Sequence, residues 1–352
     1  MILEKFLEAP VFRLTPSMFS SIARIERAQG LIDGSPLLPT YQRELQQEAL
    51  LQTIYASTHI EGNPLGLGAV ERVLAGEIVT ARQRDIQEIV NYRHVLEYVE
   101  KVYRDTRHPF NDVMVREFHR VLMRDLLPEE QLGEYRVVQN FIVDARTGKT
   151  IYTPPHAKMV PKMMLRMTDW LKEIPKEQCH PVVKAAMAHY MMEAVHPFID
   201  GNGRVGRVVA MFLLYKDGYD TRRLFSLEEY YDRNPKAYYE ALQSVLKGQG
   251  DATEWIEYFC LGFAEQIEDI AHKIHDYLQG EKDRTKFVKH ELNNRQYEAV
   301  RLLQQRGIVT AAEYADNFKV SKRTANYDLS ALVEKGLVKM EGESRSSRFK
   351  LV

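Results

Sequence analysis

The chain has 352 residues, 45% of them hydrophobic and 28% charged, an ordinary globular make-up with room for about two domains. Its 48 basic residues against 49 acidic ones give no global field that draws in nucleic acid or a membrane, although local patches can differ. Two cysteines, Cys179 and Cys260, exclude a disulfide framework and a four-cysteine zinc site and point to a reducing compartment.

In chain order, the start carries Glu4, Lys5 and Glu8 where a signal peptide needs an apolar run. The longest apolar run, Val208 to Tyr215, is far short of the ~20 residues that span a bilayer. A cytoplasmic protein with no membrane partner is expected. A helix is predicted over 41–57, where Leu45, Ala49, Ile54 and Ala56 share a stripe, and Gly62 and Pro64 stop it. Another is predicted over 84–103, and Asn111 and Asp112 cap a further amphipathic run. Then "GEYRVVQNFIVDARTGKTIYTPP" alternates β-branched and aromatic residues around residues 144–149, which predicts a hairpin. "GKT" within it is not a phosphate-binding Walker A loop, because the first glycine of that pattern falls on Val143.

Helices resume over 160–174, 181–195 and 203–216, with Gly218 as a C-terminal cap. Pro197 disfavours helical geometry at His196, so "HPFIDGNGRVGR" is a loop that leads into a helix N-terminus. Further helices are expected over 234–247 and 253–275. The charged stretch "GEKDRTKFVKHEL" then connects to a separate C-terminal unit.

That loop holds the chemistry. Gly201 and Gly203 allow positive φ and close approach of the backbone, and amides at a helix start bind phosphate. Asn202 can donate to a phosphate oxygen, and Arg204 and Arg207, three apart, lie on one helical face within reach of a polyphosphate. Asp200 suits Mg²⁺, which takes one or two protein carboxylates and fills its shell with substrate oxygens and water. His196 suits a general base for an incoming hydroxyl. The set fits phosphoryl or nucleotidyl transfer.

The stretch resembles the signature of the Fic family, H-x-F-x-[DE]-G-N-G-R-x-x-R, matching at His196, Phe198, Asp200, Gly201, Asn202, Gly203, Arg204 and Arg207. The resemblance implies transfer of AMP from ATP to a Ser, Thr or Tyr hydroxyl of a protein, the chain itself included. By position, His196 takes the hydroxyl proton and Asp200 holds Mg²⁺. Residues 201–203 with Arg204 cradle the α- and β-phosphates, Arg207 meets the γ-phosphate, and Phe198 pins the loop into the core. The resemblance makes "TIYTPP", with Ile151, Tyr152 and Thr153, a flap that pairs with the target's backbone as an added strand; a plain structural hairpin is the alternative. Asn234, Tyr238 and Tyr239 match residues beside the base and ribose in similar proteins, while aromatics at helical spacing equally read as core.

"STHIEGN" resembles the family's inhibitory motif, [ST]-x-x-x-E-[GN], through Ser57, Glu61 and Gly62. Glu61 can pair with Arg207 and withhold it from the γ-phosphate, and by resemblance it can also position a water that removes AMP again. The expected fold is mainly α: a helical Fic core with a β-hairpin flap, plus a small C-terminal winged helix. The expected domains are an N-terminal helical region 1–110 carrying the inhibitory helix (about 41–62), a catalytic core 111–275, a linker 276–292 and a winged helix-turn-helix 293–352. The last reads as helix, helix, turn, helix and a two-stranded wing, and from Lys319 onward eight basic residues face four acidic ones. DNA is one partner for it, and protein docking or dimerisation is another; similar proteins often form homodimers. A rival to the transferase is a transcriptional regulator whose core only senses ATP.

Overall fold

The computed structural model describes residues 3, 6–7, 10–105, 109–143, 150–288, 292–341 and 347–351, with the side chains of 281–288 and 304–305 left aside. Within it the chain divides into two compact units, Met1–His272 and Lys273–Val352. The N-terminal charges at 4, 5 and 8, the hairpin tip 144–149, and Glu343 and Arg345 of the basic count lie outside the described residues.

The larger unit is helical: α1 Pro16–Asp33, α2 Pro39–Ile60, α3 Leu67–Leu74, α4 Gln83–Val102, α5 Asp112–Met123, α6 Val160–Glu173, α7 Pro181–Val195, α8 Asn202–Lys216, α9 Leu227–Arg233, α10 Pro235–Lys247 and the first part of α11 Thr253–Val288, which continues beyond His272. Prolines at the first turn start α1, α2, α7 and α10, where a missing N–H costs nothing and φ is already helical. At its centre α7 and α8 pack side by side. Both are buried all round, from Val182 to Val195 and from Asn202 to Tyr215 with few breaks, the mark of core helices. The loop between them is therefore held from both ends. Helix α2 lies against α9, α4 and α8 and buries Leu45, Ala49, Thr53, Ile54 and Ser57. It ends at Glu61, followed by Gly62 at φ 88°, a left-handed position that glycine takes without strain.

Strands β1 Ile142–Val143 and β2 Thr150–Tyr152 form an antiparallel pair, Ile142 opposite Tyr152 and Val143 opposite Thr150. Helix α11 runs on to Val288, past the end expected at 275. The charged residues there are good helix formers and no proline interrupts them. No helix among the described residues is long and apolar enough to cross a membrane.

In the smaller unit come α12 Asn294–Arg306, β3 Ile308–Thr310, α13 Ala311–Phe318, α14 Lys322–Glu334, β4 Val338–Glu341 and β5 Arg348–Leu351. The sheet has three strands in the order β3-β5-β4, all antiparallel, where two were expected. The extra strand is the short extended link between Gly307, which ends α12 in a left-handed turn, and Thr310, which caps α13. Its Val309 enters the core with Val300, Leu303, Leu332, Val338 and Phe349.

Candidate active site

His196 caps α7 in the left-handed region (φ 49°, ψ 60°), its N–H donating to the Met192 carbonyl at 2.9 Å. Pro197 cannot continue the helix, so the chain turns at the histidine. Arg136 holds that turn: its Nε donates to the His196 carbonyl (2.9 Å), its Nη2 to the Pro155 carbonyl beyond β2 (2.5 Å), and its own N–H to the Pro197 carbonyl (2.9 Å). Phe198 is fully buried and stacked on His119 with ring centres 3.9 Å apart. His119 accepts from the Gly133 N–H at Nδ1 (2.9 Å), which leaves Nε2 to donate to the Asp200 carbonyl (3.2 Å). Burial holds His119 neutral, its pKa down to about 4. The loop is thus seated by an apolar pin and a neutral imidazole.

Asn202 is also a seating residue. Its Oδ1 accepts from the Phe198 N–H (2.8 Å) and its Nδ2 donates to the Phe198 carbonyl (3.0 Å). This corrects the expectation that its side chain meets phosphate: a buried amide must satisfy both ends, and here the loop's own backbone does so. Gly201 has φ 79°, and a Cβ on it would stand 2.7 Å from Met123 Sδ. A Cβ on Gly203 would collide with Glu61 Oε1, so this glycine makes room for the Glu61 carboxylate.

Glu61 and Arg207 meet. The Arg207 side chain is 1% exposed; its Nη2 donates to Glu61 Oε1 (2.9 Å) and the Ser57 carbonyl (3.0 Å), and its Nε to Ser57 Oγ (2.7 Å). Burial opposes its charge, but Glu61 and the surrounding hydroxyls and carboxyls outweigh that and hold it protonated. Two further carboxyls stand near. Burial and the Glu61 charge push Glu193 up to about 7, and burial does the same to Glu228. Burial brings His196 down to about 4, only partly offset by the Glu193 carbonyl and the Glu61 and Asp200 charges. Its imidazole is neutral at pH 7, and its buried Nδ1 has no hydrogen-bond partner of good geometry.

Asp200 is half-open to solvent. It accepts from the Gly201 N–H (2.6 Å), Arg84 Nη2 (2.8 Å) and Arg204 Nη2 (3.3 Å). Burial pushes its pKa up, but Arg204, the Gly201 N–H and Arg84 outweigh it, so the carboxylate sits below its usual range. Arg204 is buried and also faces Glu88 at 3.5 Å, with its Nε unpartnered.

A cavity of about 620 Å³ opens between the hairpin, α7 and α10, lined by Ile142, Ile151, Tyr152, Glu193, Tyr239 and Gln243 among others. Tyr239 and Asn234 therefore differ from Tyr238. Tyr239 is 44% exposed on the cavity wall, and Asn234 caps α10, accepting from the Ala237 N–H (3.1 Å). Tyr238, expected beside the base, is fully buried: its hydroxyl hydrogen-bonds His189 Nε2 (2.9 Å) and its ring stacks on Tyr231. The helical spacing that presents Tyr239 to the cavity turns its neighbour into the core. On the hairpin, Ile151 and Thr153 are exposed, whereas Tyr152 turns inward to donate to the Ala194 carbonyl (2.7 Å). Arg84, Glu88, His119, Arg136 and Glu193 were not singled out in the sequence; each lies far along the chain from its partner or outside any motif.

Residues 109–214 match the Fic/DOC family, and residues 295–342 match the DeoR-like helix-turn-helix domain. The protein adenylyltransferase Fic of Nematostella vectensis is 28% identical over 214 residues, covering 60% of this chain and 46% of that protein. That of Drosophila willistoni is 31% identical over 180 residues, covering 50% and 34%. The chain thus spans less than half the length of these relatives. A solved Fic family protein from Desulfovibrio desulfuricans G20 matches with a TM-score of 0.64 at 25% identity, over 97% of this chain and 98% of that one. A Fic domain containing signaling protein from Bacteroides thetaiotaomicron shares the fold, with a TM-score of 0.60 at 24% identity over 73% of this chain and 96% of that one.

Proposed function

The chain carries a Fic/DOC family core, and from that premise we propose that it transfers AMP from ATP to a hydroxyl-bearing side chain of a protein, restrained in cis by Glu61. The observation that carries this reading is the Arg207 guanidinium. It is buried on the helix that follows a glycine-rich loop, and an anionic side chain from another helix already occupies it. A buried cation requires an anion, and a triphosphate and Glu61 compete for the same one.

In this reading neutral His196 takes the proton of the target hydroxyl as the hydroxyl oxygen bonds to the α-phosphorus and the bond to pyrophosphate breaks. The backbone at 201–203 and Arg204, whose buried Nε lacks a partner, hold the α- and β-phosphates. Arg207 meets the γ-phosphate once Glu61 has moved aside. Asp200 fits a divalent cation: it is ionised, partly exposed and the sole carboxylate of the loop. Mg²⁺ held there would neutralise phosphate oxygens and ease departure of pyrophosphate. The cavity beside Tyr239 takes the base and ribose, and exposed Ile151 and Thr153 pair with the target's backbone. The same site extends to transfer onto the chain's own hydroxyls and, with Glu61 positioning a water, to removal of AMP.

Incubation of wild type, Glu61→Gly and Glu61→Gly/His196→Ala with Mg²⁺ and ATP, followed by intact-protein mass, tests this. A gain of one AMP in Glu61→Gly that disappears in the double variant supports transfer. Equal labelling by wild type and Glu61→Gly removes the restraint from the account.

A second activity is favoured by the DeoR-like match together with the exposed Lys322, Arg323, Asn326 and Tyr327 on α14. We infer that this helix contacts duplex DNA. If no duplex binds at low salt, the small unit is a docking module instead.

A further inference from the structure

Helix α4 sends two side chains to the loop. Arg84 Nη2 donates to Asp200 Oδ2 at 2.8 Å, and Arg84 Nε donates to Glu88 Oε1 at 3.3 Å one turn on. Glu88 is mostly buried; it faces Arg204 Nη1 at 3.5 Å and accepts from Asn63 Nδ2 at 3.1 Å, just past the inhibitory motif. Asp200 and Glu88 thus share the guanidinium groups of Arg84 and Arg204. Two negative and two positive charges balance, and no net charge is left to attract a cation.

The two arginines are not equivalent. Arg204 is 4% exposed on its side chain and fixed in the loop's helix, whereas Arg84 is 51% exposed and sits at the rim. If Arg84 lets go of Asp200 it keeps Glu88, so leaving costs one exposed ion pair rather than a stranded charge. We propose that Arg84 gates the divalent-cation site: in the resting chain its guanidinium occupies the Asp200 carboxylate, and a cation enters only as Arg84 swings back to Glu88. This rests on the reading of Asp200 as the cation's ligand. It makes metal affinity adjustable from α4, a helix outside the loop, and adds a second restraint beside the Glu61 contact with Arg207.

The test is Mn²⁺ binding to the full-length Glu61→Gly protein with a non-hydrolysable ATP analogue, followed by the electron paramagnetic resonance signal of free Mn²⁺. Arg84→Met keeps the length and removes the charge; it should bind Mn²⁺ about three- to tenfold more tightly, from loss of an exposed ion pair and of a nearby like charge. Arg84→Lys retains the charge and should stay near the parent. Adding Asp200→Asn to Arg84→Met should abolish the gain. Unchanged or weaker binding in Arg84→Met, with binding still lost in Asp200→Asn, overturns the gate and leaves the cation ligand standing. A gain that survives Asp200→Asn, or no Mn²⁺ binding in any variant, overturns both.

Discussion

Replacing Glu61 by glycine should raise affinity for ATP but not for ADP. The Arg207 Nη2 to Glu61 Oε1 bond is 2.9 Å long, with 1% of the arginine side chain and 28% of the glutamate side chain exposed. A hydrogen bond between charged groups in such surroundings is worth about 1.5–3 kcal/mol. A γ-phosphate that must displace Glu61 gives up that amount, which is roughly 10- to 150-fold in affinity at 1.4 kcal/mol per tenfold. Glycine suits the position, where the backbone lies at φ −85° and ψ 6°, and Ser57 still holds the freed guanidinium from two atoms. Titration calorimetry with a non-hydrolysable ATP analogue and with ADP gives the comparison directly. ADP has no γ-phosphate and does not compete for Arg207, so its affinity should change little. An equal gain for both nucleotides, or none for either, would refute the assignment of Arg207 to the γ-phosphate.

Stability should respond to pH through Glu193 and His196 with opposite signs. Glu193 is raised from 4.5 to about 7, so its contribution is full below pH ~4.5 and lost as pH rises through 7. Glu193→Gln should therefore gain on wild type between pH 5 and 8, by on the order of 1–3 kcal/mol in urea melts; a constant gap would remove that assignment. His196 is lowered from 6.5 to about 4, so its contribution is present above pH ~6.5 and lost as pH falls towards 4. The acidic limb of kcat/KM in Glu61→Gly should accordingly lie below pH ~5, since removing Glu61 takes away a charge that favours the imidazolium. Arg136→Lys should lower thermal stability and kcat together, because one ammonium cannot replace the guanidinium fork between the His196 and Pro155 carbonyls. Unchanged kcat would show that the bridge is not needed for positioning. In the small unit, Lys322→Ala/Arg323→Ala should weaken duplex binding and reduce its salt slope by up to about 2, measured by fluorescence anisotropy across salt; an unchanged slope would place DNA elsewhere.

The loop and the end of α2 were legible because they pack charged and flexible residues at fixed short spacing, which neither a core helix nor a plain surface loop needs. The bounds of α7 were legible because Pro181 can only start a helix and Pro197 can only end one. Roles set by long-range contact were not. Asn202 reads as a phosphate donor until Phe198 is seen to take both its amide atoms. Tyr238 and Tyr239 are adjacent and chemically alike, and only the packing of α10 against Tyr231 and Trp255 sends one inward. Arg84 and Arg136 are single basic residues among many; their partners lie 116 and 60 positions away. Strand β3 is a three-residue link whose pairing with β5 spans the small unit, and no local period announces it.

Transfer of AMP by His196 is tested most directly by following the fate of each phosphate. Glu61→Gly and Glu61→Gly/His196→Ala should be incubated with Mg²⁺ and ATP labelled separately at the α- and γ-phosphates, alone and with lysate proteins. Protein-bound label should come from the α-position alone and be lost with His196. Label from the γ-position would make the chain a kinase, and no label from either would leave a core that only senses ATP.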